Sequence, residues 1–522
     1  MSLSRSRPRV RALLAATALA AALPTSAAGS HSFDTLEGPY ISLVGAYAPT
    51  GATPGTLNPL ITVGEDYHGV VFEGIPDGIG VVPLGNGTVD VYVNHEQSRV
   101  PFDPPGAEPN AADFTDSSVT RWTVDIATQT IVGAGVAISD SEGFIRFCSS
   151  FMAGPEHGFD HYTLLTNEES NDNLAVPAGA VYGPDPAIAP LREAGYTVAY
   201  DTVTGELTAV SRAGRLNHEN TTVVPGGWDK LAMLTGDDTF TPPSSQLYLY
   251  TANDADAVLA DKGQLMAFQV TATRATASDP WVSVDPYNPF NGANDYLEIT
   301  AGETMRGRFI HVPTDVARGL TNAEPQQGLE DWSNANNVFQ FLRVEDIAYD
   351  PDDPRTVYFA DSGTGVQPST ATTGPTAGRL IAGSQAQRGR VFKIVLNQKD
   401  PRIVDSLTIL ADGNNTSSNF NRPDNLDVSH RSVMVQEDTS NARIWRYDLT
   451  AGTWTHVATA NQSTAETSGI RDASAWFGPG WWLLDVQSHW PNWQDQDPPT
   501  GYPPYIPKRE GGQLLLVNIP DS

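Results

Sequence analysis

The chain has 522 residues, 61 acidic against 31 basic side chains, 40% hydrophobic residues and a single cysteine. That apolar content excludes wholesale disorder, and a formal charge of −30 excludes a nucleic-acid-binding surface because phosphate would be repelled. An acid excess of this size suits a protein that collects cations, and one cysteine excludes an internal disulfide.

Taken in chain order, the first element is a targeting segment. Arg5, Arg7, Arg9 and Arg11 precede an apolar run from Ala12 to Leu23 and the small residues Ser26, Ala27 and Ala28. This is the pattern of a Sec-type signal peptide over residues 1–28, and the run is too short to span a bilayer. Cleavage after Ala28 leaves 27 basic and 61 acidic residues in a secreted or periplasmic protein. Residues 29–522 contain no later transmembrane segment and read as a single monomeric domain.

The rest of the chain is dominated by period-2 apolar alternation and by Gly, Pro, Asn and Asp punctuation, which predicts strands. One pattern recurs, an apolar strand that runs straight into acid, amide or imidazole groups: VDVYVNHE (89–96), YTLLTNEE (162–169), KLAMLTGDD (230–238), RTVYFADSG (355–363), SVMVQEDTS (432–440) and WWLLDVQSH (481–489). The first acids after these strands are Glu96, Glu168, Asp237, Asp361 and Glu437, separated by 72, 69, 124 and 76 residues. A step of about 70 with one double gap predicts a radial repeat. The expected fold is therefore all-β, a β-propeller of about six blades, with loop insertions and an excursion around 255–335. Equivalent strand ends would then gather acid around a central channel, which is costly unless cations neutralise it.

Cys148 is either a buried packing residue or a metal thiolate. Asp485, Gln487 and His489 alternate onto one face of a strand, as part of the site or as blade closure. His95 and His218 each precede a candidate glutamate and in a strand point away from it. No Gly-x-Ser-x-Gly elbow, Walker loop or HExxH pair occurs, so the chain carries no signal of serine-nucleophile, phosphate-loop or zinc-protease chemistry.

Several words taken together resemble the PhoX-like alkaline phosphatase family of exported, metal-dependent β-propeller phosphatases. They are Asn94-His95-Glu96, Phe147-Cys148-Ser149-Ser150 with Thr166-Asn167-Glu168-Glu169, Gly214-Arg215-Leu216-Asn217-His218-Glu219, Phe341-Leu342-Arg343-Val344-Glu345-Asp346, Phe420-Asn421-Arg422-Pro423-Asp424-Asn425 and Gln436-Glu437-Asp438. The chain departs from the family in the longer loop from Phe151 to His161, in Asn167 where a cysteine precedes the paired glutamates, and in lacking a twin-arginine signal.

The resemblance implies a channel cluster of iron and calcium, Fe3+ and Ca2+, acting on a small-molecule phosphate ester. It implies Cys148 as the iron thiolate and Glu219, Glu345 and Asp424 as carboxylate ligands. Glu168 and Glu169 fall where the family has paired glutamates, either of which could face inward; Glu96 and Glu437 complete the candidate metal set. Arg343 resembles the arginine that holds the substrate phosphate, and could instead simply pair with Glu345. Two other readings stay open at this level: a calcium-dependent phytase-like, esterase or lactonase propeller, and a non-catalytic calcium-stabilised propeller that binds a partner or polysaccharide along the aromatic loop from Trp490 to Tyr505.

Overall fold

The computed structural model describes residues 35, 37–96, 117–239, 245–288, 295–363, 387–415, 420–462, 465–490 and 509–520. The expected signal peptide, residues 1–28, and the loop after Trp490 lie outside the described residues.

The second strand of the first blade shows why these segments become propeller strands. In Thr88–His95, Val89, Val91 and Val93 are fully buried in one core with Trp122, Leu483 and Leu514. The intervening Tyr92 enters a different core with Leu164 and Val198. Alternate side chains thus feed the two interfaces on either side of a blade, so the strand is buried on both faces.

The strands form six antiparallel four-stranded meanders. Their inner strands are Pro76–Pro83, Phe147–Ala153, His218–Val223, Val344–Tyr349, Pro423–Val428 and Ala465–Asp472. Each inner strand packs against the next in chain order, and the last packs against the first, which closes the ring around a channel. Blades are numbered one to six in that order. The six segments singled out in the sequence contain the second strands of the six blades.

Closure uses the start of the described chain. Thr56–Thr62 pairs with Arg509–Asn518 as the fourth strand of blade six, and Ile41–Leu43 adds a fifth strand to blade five by pairing with Thr453–Ala460.

The double gap in the repeat is an insertion between blades three and four. Gln264–Arg274 is still the fourth strand of blade three, so the excursion begins later than its sequence suggests. Its strand Thr304–His311 pairs with that strand on one side and with Ile403–Asp412, the outer strand of blade four, on the other, fusing two blades into one ten-stranded sheet. The helix Pro325–Ala335 follows and packs Leu329 into one core with Tyr248 and Val338, while Phe268, Phe309, Phe339, Phe341, Phe359 and Phe392 fill another. Among the described residues no helix is long and apolar enough to cross a membrane.

Candidate metal centre and active site

Each inner strand offers its second residue to one end of the channel: Asp77, Cys148, Glu219, Glu345, Asp424 and Glu466 all line a single cavity. In blades one to five the register between the inner strand and its neighbour shifts across this residue, whereas in blade six the shift lies beyond it, between Ser468 and Ile470. Such bulges bend a strand and re-aim a side chain, so a repeated backbone irregularity turns five of the six side chains toward the axis.

A second tier comes from the ends of the second strands. Glu96, Glu169, Asp238, Asp438 and Gln487 join the cavity, with Arg146, Arg343 and Ile75. The structure therefore brings Glu96, Cys148, Glu169, Glu219, Glu345, Asp424 and Arg343 together.

Two of the expected ligands are turned elsewhere. Glu168 is fully buried and takes a bidentate ion pair from Arg192, with Nη1 at 2.7 Å and Nη2 at 2.5 Å, plus the Ile145 N–H. Glu437 accepts hydrogen bonds from Arg443 Nε at 2.9 Å, Trp445 Nε1 at 2.9 Å and Asn421 N at 2.9 Å. The reason is strand alternation: in Glu168-Glu169, Asp237-Asp238 and Glu437-Asp438 the second acid faces the channel and the first faces a blade interior. In the fourth blade Asp361 also stays inside, accepting the N–H groups of Leu342 and Gly363.

Asp77, Asp238, Asp438, Glu466 and Arg146 escaped the sequence reading. The doubled acids carried a signal for two of them; Asp77 and Glu466 begin strands whose inner position no local pattern announces. Gln487 reaches the cavity, whereas Asp485 sits on the same strand buried, with no hydrogen-bond partner for either oxygen. His95 and His218 are buried away from the cavity, on Thr120 and Thr235.

The ligand atoms fall into three overlapping groups, each with its atoms within 4.8 Å of one another: Asp77, Glu96 and Cys148; Cys148, Glu169 and Glu219; Glu219, Glu345 and Asp424. Cys148 is common to the first two and Glu219 to the last two. The cavity as a whole carries nine carboxylates against two guanidiniums.

A polar scaffold fixes these groups. Gln487 Nε2 donates to Asp77 at 3.2 Å and Glu96 at 3.3 Å, Ser149 Oγ donates to Glu219 at 2.7 Å, and Asn425 bonds Ser149 at 2.8 Å. The Cys148 thiol donates to Asp77 at 3.1 Å. Arg343 grips Asp238 through Nε at 2.8 Å and Nη2 at 3.0 Å; Nη2 also lies 3.5 Å from Glu345, and Nη1 is 3.9 Å from Asp438.

Burial, followed by mutual repulsion, pushes the carboxyls of Glu169, Glu219, Glu345 and Asp424 well above the usual range. Burial also raises Asp77 to about 6 and the Cys148 thiol well above its ordinary value. Arg343 is the opposite case: burial works against its charge, but Asp238 and Glu345 hold it firmly protonated. A site that penalises its own anions this strongly is one that cations complete.

Residues 162–475 match the model of the family described as alkaline phosphatase PhoX. No curated protein sequence matches the chain. Among solved structures the chain is similar to Pseudomonas fluorescens PhoX in complex with vanadate, a transition-state analogue, with 14% identity, a TM-score of 0.60, and coverage of 93% of this chain and 97% of that one. It also matches a protein of unknown function from Dyadobacter fermentans, at 8% identity and a TM-score of 0.40, over 88% of this chain and 98% of that one.

Proposed function

The chain belongs to the PhoX alkaline phosphatase family of exported, metal-dependent phosphoester hydrolases, and from that premise we propose that the cavity at the channel head is its active site, hydrolysing small phosphomonoesters at a mixed iron and calcium centre. The observation that carries this reading is the chain of three overlapping ligand groups joined through Cys148 and Glu219. Once ionised for ligation, nine carboxylates less two guanidiniums leave seven negative charges, more than one divalent or trivalent ion can balance. The donor set is mixed as well: a thiolate suits iron, whereas carboxylate oxygens suit calcium. Bound there, the cations would supply Lewis acidity toward a phosphoryl oxygen and a water acidified to near-neutral pKa.

The protein's own groups have separate tasks. Asp77 accepts the hydrogen bond of the Cys148 thiol, so it is positioned to take the proton that the thiol must lose before ligating metal. Gln487 and Ser149 hold Asp77, Glu96 and Glu219 in fixed rotamers. The bidentate pair with Asp238 occupies one edge of the Arg343 guanidinium and orients the plane. The Nη1 edge is the one a phosphate would take, with the planar, fork-like geometry that lysine lacks. Export through the signal of residues 1–28 belongs to the same reading.

Metal analysis of protein purified without chelator should give iron and calcium together. Cys148→Ser should lose iron and p-nitrophenyl phosphate hydrolysis while keeping calcium. Arg343→Ala should lower kcat/KM for that ester by about 30-fold, equivalent to roughly 2 kcal/mol, at unchanged metal content. Full activity in calcium-only protein would remove iron from the reading, and wild-type kcat/KM in Arg343→Ala would remove the clamp.

A further inference from the structure

The inner strands that open on the metal cavity near their starts meet a second cavity toward their ends. It encloses about 230 Å3 and shares no residue with the first. Phe151, Tyr349, Asp427 and Arg471 reach it from the inner strands of blades two, four, five and six. The loop from Phe151 to His161, where the sequence departs from its family, adds Glu156 and His157, and Tyr162 and Trp476 extend the aromatic wall.

The hydrogen bonds leave defined groups unused. The Gly154 N–H donates to His157 Nδ1 at 3.0 Å, and burial keeps that imidazole neutral by lowering it to about 4. Its one hydrogen is therefore on Nε2, which donates to the Tyr349 hydroxyl oxygen at 2.9 Å. The Tyr349 hydrogen must then point away from His157, and no acceptor meets it among the described residues. Asp427 is only 6% exposed, yet one oxygen does all its work: Oδ2 accepts the Asp472 N–H at 2.7 Å and lies 3.5 Å from Arg471 Nη1, while Oδ1 accepts nothing among the described residues. Asp472 likewise uses Oδ1 alone, on the Ser474 N–H at 3.1 Å and its hydroxyl. Burial raises Asp472 to about 6, so it is an anion at pH 8. Arg471 is spent on the wall, with Nε on the Ile79 carbonyl at 3.3 Å and Nη2 on the Ser150 carbonyl at 3.1 Å. The cavity thus holds three carboxylates against one fully engaged guanidinium.

We propose that this second cavity binds a small organic ammonium that also carries a hydroxyl group, with Asp427 and Asp472 facing the cation, the aromatic wall around it, and Tyr349 donating to the hydroxyl oxygen. Ring faces attract cations, most strongly when these are desolvated alkylammonium groups. Calcium takes six to eight oxygen ligands, which a wall of Phe151, Tyr162, Tyr349 and Trp476 does not offer. A bare alkylammonium would leave the Tyr349 hydrogen unsatisfied, whereas an amino alcohol uses it.

Titration calorimetry of the metal-loaded protein at pH 8 should show saturable binding of choline with a Kd of about 1 mM or tighter. 3,3-Dimethyl-1-butanol has the shape and hydroxyl of choline without its charge and should bind at least tenfold more weakly; tetramethylammonium has the charge without the hydroxyl and should bind about threefold more weakly. Trp476→Ala and Asp427→Asn should each weaken choline binding at least tenfold in protein whose circular dichroism is unchanged, and Tyr349→Phe should bring choline to the affinity of tetramethylammonium. The absence of saturable choline binding, equal affinity for the uncharged analogue, or choline binding that survives both Trp476→Ala and Asp427→Asn overturns the proposal. A preference for choline over tetramethylammonium that Tyr349→Phe leaves intact overturns the role given to the hydroxyl.

Discussion

Glu168 and Glu169 are chemically identical neighbours with opposite duties, and the difference is one step of strand alternation. Glu168 neutralises Arg192 in a pair with no solvent exposure on either side chain, so Glu168→Gln leaves a buried guanidinium without its counter-charge. Such a change should cost about 3–5 kcal/mol of stability, measured by urea unfolding, while bound metal per folded molecule stays constant. Glu169→Gln removes one of several repelling carboxylates from the cavity. It should lower metal content sharply and leave the metal-free protein as stable as the wild type or more so. At this scale the sequence announced that acid was present and could not say which acid of a doubled pair faces the channel. Choosing the first acid after each strand selects Glu168, Asp237 and Glu437, all of which turn inward to a blade, because the orientation is set by a register shift that no local composition reveals.

The elements that build the site are strands brought into near contact at their ends, and Gly78 shows how closely. A Cβ at Gly78 would lie 2.3 Å from the backbone N of Ser150, the atoms of two adjacent inner strands. Gly78→Ala must therefore part blades one and two between Asp77 and Cys148, the residues that share the first ligand group. The expected loss is about 2 kcal/mol, typical of an overpacked interior, accompanied by weaker metal retention; thermal unfolding and metal analysis of the same preparation check both. The strands themselves were legible, because alternation of apolar side chains is dictated by burial on both faces. So was their equivalence, because all six recurring segments became second strands. The inner strands were not: His218–Val223 reads as polar up to Thr222 yet is buried along its length, since the two adjacent blades accept the hydrogen bonds of Thr221, on Asn167, of Thr222, on the Ile347 carbonyl, and of Asn220, on Asp346.

For the whole molecule the governing quantity is charge stored at the axis of a closed ring. Six blades each contribute a group to the cavity, and closing the ring forces those groups together whether or not cations are present. Without metal, the folded chain holds protons on Glu169, Glu219, Glu345 and Asp424, and on Asp77 until about pH 6. The unfolded chain releases the same protons near pH 4. The folded form therefore binds more protons than the unfolded form above pH 4, and its stability falls as pH rises, by about 1.4 kcal/mol per pH unit for each proton retained. Buried His95, depressed to about 3, and His218 and His157, to about 4, act in the opposite sense, with a growing effect as pH falls from 7 through the 6.5 at which an unfolded histidine titrates. Between pH 8 and 7 the carboxyls dominate, so chelator-treated protein should unfold at a higher temperature at pH 7 than at pH 8. Metal-loaded protein should show the reverse ordering, because ligands must be deprotonated to bind and lower pH weakens the centre. Calorimetry of both forms at the two pH values checks the crossing; parallel trends in the two forms would mean that the buried acids are not what the cations hold in place.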